Sequence, residues 1–104
     1  MNIGDYVYLY LFDLEKSIIN MNRLRDDRFG RLINKSILHN PNGNHVIQYD
    51  IELFNSREVI QYRSDSLSTN MLSVNELIEL IERIDIPFDK KEIILEQIQE
   101  VIKD

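Results

Sequence analysis

The sequence predicts an α+β fold in which a small antiparallel β-barrel or curved β-meander is followed by two C-terminal helices. Three observations lead there. The opening "GDYVYLYLF" is dense in β-branched and aromatic residues, which suit a pleated strand. The middle of the chain alternates apolar and polar residues with a period of two between strong turn signals. From Ser73 onward the apolar spacing changes to that of helices, with capping residues at both starts.

The first strand is apolar on both faces. Val7, Leu9 and Leu11 point one way, and Tyr6, Tyr8, Tyr10 and Phe12 the other. A strand with one wet face would not read so, and the second face needs a cover. Residues 13–30, "DLEKSIINMNRLRDDRFG", read either as a loop containing a helical turn or two, or as a helix. In the helical reading Leu14, Ile18, Met21 and Leu24 or Arg25 share a face and Gly30 is the C-cap.

Next comes "GRLINKSILH", which supplies Leu32, Ile33, Ile37 and Leu38 and turns through "NPNGN". There Pro41 fixes φ and Gly43 tolerates a positive φ. In "NHVIQYDIELFN", Ile47, Tyr49, Ile51 and Leu53 alternate with Val46, Gln48, Asp50 and Glu52. Asn55–Ser56 then leads into "REVIQYR", where Ile60 and Tyr62 continue the pattern.

Ser73 with Glu76 forms a capping box, and Leu72 with Leu77 a hydrophobic staple. This helix turns Val74, Leu77, Ile78, Leu80, Ile81 and Ile84 inward and stops at Pro87. Asp89 with Glu92, and Phe88 with Ile93, repeat the box and the staple. Ile94, Ile98, Val101 and Ile102 make the buried stripe of the last helix. The 104 residues form one domain, with a β-rich body at 3–68 and a helical hairpin at 72–103.

A hydrophobic fraction of 43% is too high for disorder, and the absence of cysteine removes disulfides and thiolate metal sites. Met1–Asp5 carries no basic export segment, and the apolar run Tyr6–Phe12 is too short to cross a bilayer. The expectation is a cytoplasmic protein without a membrane span.

"IGDYVYL", "FGRLI" and "YDIELFNSREVIQYRSDSLS" together resemble the strand order of SH3-like small barrels of the Tudor and KOW sort. Gly4, Asp5, Val7, Gly30, Asp65 and Leu67 stand at the characteristic places over residues 3–68. The 13–30 insertion and the helical hairpin depart from the minimal barrel. The resemblance implies that one face of the first strand packs inside a barrel while the tyrosine face meets the helices.

The chemical inventory predicts a non-enzymatic protein with no cofactor and no metal. It lacks a G-x-S-x-G, a G-x-G-x-x-G or a phosphate-binding loop. His39 and His45 flank a turn, where solvated histidines are the ordinary finding, and Asp26–Asp27 are adjacent but divergent.

Charge is the informative feature. The net charge is −6, opposing general nucleic-acid affinity. Residues 23–35 nevertheless carry Arg23, Arg25, Arg28, Arg31 and Lys35 against Asp26 and Asp27, a balance of +3. Residues 69–104 carry four cations against nine carboxylates, a balance of −5. Glu92, Glu96 and Glu100 recur at i, i+4 and i+8, and Glu76, Glu79 and Glu82 at i, i+3 and i+6. Each stacks carboxylates on one helical stripe, at about 0.2–0.5 kcal/mol per like-charged pair.

These stripes, rimmed by Tyr6, Tyr8 and Tyr10, suggest a binding protein whose partner is a protein with a basic surface, such as a host nucleic-acid-binding protein. In overall style the chain is similar to phage and mobile-element accessory proteins such as anti-CRISPRs, which implies an inhibitor. Two alternatives follow from the same charges. One is a homo-oligomer joining the basic segment to the acidic hairpin of the next subunit. The other is a nucleic-acid-binding module using Arg23, Arg25, Arg28, Arg31 and Lys35 with Tyr49 or Tyr62 as stacking partners.

Overall fold

The computed structural model describes residues 1–11, 13–21 and 24–103; Phe12 and Arg23, both singled out above, lie outside them. The elements in chain order are β1 (Tyr6–Leu11), α1 (Leu14–Met21), a 3-10 turn (Asp26–Arg28), β2 (Phe29–His39), β3 (His45–Leu53), β4 (Val59–Arg63), β5 (Thr69–Ser73), α2 (Val74–Arg83) and α3 (Phe88–Ile102). The fold is α+β. The five strands form one antiparallel sheet in the order β4-β3-β2-β1-β5, curved but not closed into a barrel.

β1 is an interior strand, paired with β2 through Tyr6–Tyr8 and with β5 through Val7–Leu11. Its two apolar faces enter two different cores. Tyr8 joins Phe29, Leu77, Ile81, Ile94 and Ile98 in the layer between sheet and helices. Val7 and Leu9 join Leu32, Tyr49 and Ile51 on the opposite face. Among the described residues no helix covers that second core; apart from Met1 its residues all come from the strands of the curved sheet. Leu9 of β1 therefore lines the same cavity as Ile60 and Tyr62 of β4, although two strands separate β1 from β4.

Some local expectations are met and others are not. Residues 69–73 are a strand, so the sheet extends beyond residue 68 up to the cap of α2. The first half of the 13–30 segment is an eight-residue helix, which buries Leu14 and Ile18. Gly30 is not its C-cap but lies inside β2, opposite both Val7 and Leu53. The Ser73–Glu76 capping box is present. The second box is not: α3 begins at Phe88 with Pro87 as N-cap, so Asp89 lies one residue inside the helix. Phe88 and Ile93 stand 73% and 60% exposed, which leaves no second staple.

Between Leu32 and Asn34 the register of β2 against β3 shifts by one residue, a β-bulge. Leu32 pairs with Ile51 and, beyond the bulge, Ile37 with Ile47, so both reach the same face despite their odd spacing. The bulge reverses the side-chain parity of the outer half of the hairpin.

Gly30 leaves no room for a side chain between β2 and β3. A Cβ there would lie 2.6 Å from Ile51 Cγ2 and 2.8 Å from the Glu52 carbonyl oxygen, and that backbone atom cannot rotate away. Gly30→Ala is expected to destabilise the fold by about 1–3 kcal/mol, read as a lower urea midpoint. An unchanged midpoint would show that β2 and β3 can separate freely there.

Candidate functional site

The helix period assigns the carboxylates to solvent. α2 buries Val74, Leu77 and Ile81, which turns Glu76, Glu79 and Glu82 outward. α3 buries Ile94 and Ile98, which turns Glu92, Glu96 and Glu100 outward. All six are exposed, and among the described residues none belongs to an ion pair. The pairs present are Arg25–Asp27, Arg57–Glu52 and Arg63–Asp65. Glu76 has a structural duty: its Oε1 accepts from Ser73 Oγ at 2.9 Å and Ser73 N at 3.4 Å. Lys91 does not neutralise the stripe; its Nζ donates to the Glu82 carbonyl oxygen at 2.8 Å, near the negative end of α2.

Three features escaped the sequence reading. Phe88 precedes Glu92, Glu96 and Glu100 at the same four-residue spacing, so an exposed aromatic ring heads the acidic stripe, with Ile93 beside it. The signal was Pro87, whose fixed φ suits the very start of a helix. Asp13 and Glu15, at the start of α1, share a cleft of about 590 Å³ with Glu76, Glu79 and Arg83. Only the packing of α1 beside α2 brings them together. The third feature is Gln97, which holds α3 to the segment after α1: its Oε1 accepts from Leu24 N at 3.0 Å and its Nε2 donates to Leu24 O at 2.7 Å.

The tyrosines divide. Tyr8 is only 4% exposed, packed on Phe29 with ring centroids 4.7 Å apart, so it is a core residue rather than a rim contact. Its hydroxyl accepts from Arg25 N at 3.1 Å. Burial pushes the phenol above its ordinary value of 10.0, against the smaller opposing effects of the Arg25 amide and guanidinium. Tyr6 is 38% exposed and edge-on to Phe54, and Tyr10 is half-buried beside the acidic cleft.

Among the described residues, Arg25 and Arg28 line one cleft with Tyr8 and Leu14, whereas Arg31 and Lys35 lie on opposite faces of the sheet. Arg25 is held by Asp27 through two hydrogen bonds, of 3.1 and 2.8 Å. Arg28 reaches the groove of Tyr62 and Arg63. Arg31 pairs across strands with Tyr6 and Glu52, while Lys35, beyond the bulge, pairs with Tyr49 on the other face. Tyr49 and Tyr62 stack with centroids 6.3 Å apart, both within the second core.

No family model, curated protein or solved structure matches this chain. Among the described residues no helix is long and apolar enough to cross a membrane.

The clamp on residues 24–25 generates two predictions. Gln97→Ala leaves the Leu24 N–H and C=O without their partner, and is expected to cost about 1–3 kcal/mol. Faster hydrogen exchange at the Leu24 amide would accompany that loss, and a wild-type rate there would refute the clamp. Because the folded state raises the Tyr8 pKa, it binds this proton more tightly than the unfolded chain does. The stability is therefore complete below about pH 10 and falls as pH rises beyond it. Tyr62, also raised by burial, acts with the same sign. Urea titrations between about pH 9 and about pH 11 should show a shallower alkaline loss in Tyr8→Phe than in wild type.

Proposed function

We propose that this protein works by contact rather than turnover, occupying a cationic surface of another protein with the face made by α2 and α3. One observation carries the reading: Glu92, Glu96 and Glu100 stand exposed in a single stripe, outside any ion pair among the described residues, with Phe88 at its head. Carboxylates four residues apart on a helix repeat about every 6 Å. Such a row presents regularly spaced negative charge to a groove that ordinarily receives a nucleic-acid backbone. Like-charged neighbours at i and i+4 weaken an isolated helix, so the arrangement does not serve α3 itself. An exposed aromatic beside the charges adds an anchor of the kind that dominates interface energetics.

The partner class is a protein with a basic groove, and the effect is inhibition by occupancy, the mode of phage and mobile-element inhibitors that the composition resembles. Against the nucleic-acid alternative, Arg31 and Lys35 lie on opposite faces of the sheet and Arg25 is already paired with Asp27.

The test is Glu92→Lys, Glu96→Lys and Glu100→Lys together, compared with wild type on a partner captured from lysate. Association is expected to slow by roughly tenfold or more at low salt, with a flattened or reversed salt dependence. Nucleic acid that binds the partner should compete with the wild-type protein. An unchanged association rate would remove the acidic face from the function. Binding of single-stranded DNA or RNA to the protein alone at low salt would replace this reading with the nucleic-acid one, and a mass that falls to monomer as salt is added would favour the homo-oligomer.

A further inference from the structure

The tip of the β2–β3 hairpin brings together two residues that the sequence separates by a turn. Asn40 N donates to Asn44 O at 3.0 Å, and Gly43 N to Asn40 O at 3.0 Å, with Gly43 at φ +86°. Asn40 and Asn44 thus face each other through a backbone hydrogen bond, and the next pair along the ladder is His39 and His45. Hydrogen-bonded and non-hydrogen-bonded pairs alternate along antiparallel strands, so His39–His45 is of the second kind, in which side chains approach most closely. Ile47, two residues further on, agrees with this phase. Its N–H goes to Ser64 Oγ and its C=O accepts from Ser64 N, both away from β2.

The two imidazoles accordingly touch, with ring centroids 4.6 Å apart and planes at 85°. They share an open cleft with Ile37, Ile47 and Ser64 and no other titratable side chain among the described residues. Imidazole nitrogens bind zinc at about 2.0–2.1 Å, which places each ring centre roughly 3.2 Å from the ion. Two such rings side by side on one ion, at right-angled to tetrahedral geometry, have centres roughly 4.5–5.2 Å apart. The pair already stands at the near end of that range. The hairpin register sets this spacing, and the apolar walls Ile37 and Ile47 limit competing hydration.

We propose that His39 and His45 form a two-imidazole site for a borderline divalent transition-metal ion of the zinc, nickel and copper class. Each histidine supplies one ring nitrogen and water completes the coordination. Among the described residues no cluster of three or more metal-ligating side chains exists, so the site is open and exchangeable rather than a closed structural centre. Imidazole donors suit these ions and not magnesium or calcium, which prefer oxygen. An ion held there ties β2 to β3 at the unsupported end of the longest hairpin.

Isothermal titration of the full chain with zinc chloride should show one ion per chain, with nickel competing and magnesium silent. His39→Ala and His45→Ala should each weaken zinc binding by at least the roughly 10–100-fold that loss of a mere outer-shell partner causes. Both positions lie at an exposed turn, and unchanged circular dichroism and urea midpoints would verify that the variants fold. Zinc should also shift amide resonances at residues 37–47 and leave those of α3 in place, which separates the site from weak binding along the glutamates. Equal zinc binding by the double variant, shifts centred on Glu92–Glu100, or no heat at millimolar zinc would each overturn the proposal.

Discussion

The structure depends on a central strand that is buried on both sides. Val7 and Leu9 cannot reach the helices, and Tyr8 cannot reach the second core, so β1 requires two separate covers. The helical cover comes from α2 and α3 with α1 alongside. The other cover has to come from the sheet, which explains why β2, β3 and β4 curl until Tyr62 and Ile60 share a cavity with Leu9. Burial of whole apolar side chains at roughly 1.5–3 kcal/mol each makes this the dominant constraint. Polar contacts then fix the registry of the helical layer. The Tyr8 hydroxyl receives the Arg25 amide and Gln97 receives Leu24 at both its backbone groups, so one short segment is held by the sheet on one side and by α3 on the other.

Much of this was legible because it was local. The doubly apolar pattern of residues 6–11, the alternation around Ile51 and the Ser73–Glu76 box depend on neighbours within a few residues, and each appears where the residue types place it. What stayed hidden depends on distant partners. "TNMLS" has neither alternation nor β-branched density, and it becomes a strand because its backbone completes the free edge of β1. Gly30 looked like a helix terminator, yet it is glycine because Ile51 and the Glu52 backbone leave no room for a Cβ. The Asp89–Glu92 spacing matched a capping box, but Pro87, two residues earlier, starts the helix sooner, and this puts Phe88 and Ile93 in solvent.

The same distinction decides which charge pattern survives folding as a surface. On a helix the period is set by the backbone, so residues at i, i+4 and i+8 remain a stripe whatever the helix packs against. Glu92, Glu96 and Glu100 therefore pass from sequence to surface unchanged. On strands the facing depends on register, and a single bulge between Leu32 and Asn34 sends Lys35 to the face opposite Arg31 although their spacing is even. Arg31 and Lys35 are consequently near one another in the chain but on opposite faces of the folded sheet. The described surface carries positive charges divided between the faces of the sheet, one of them bound to Asp27, and a row of carboxylates on α3. One extra residue in β2 thus parts Lys35 from Arg31, while the fixed period of α3 keeps Glu92, Glu96 and Glu100 together.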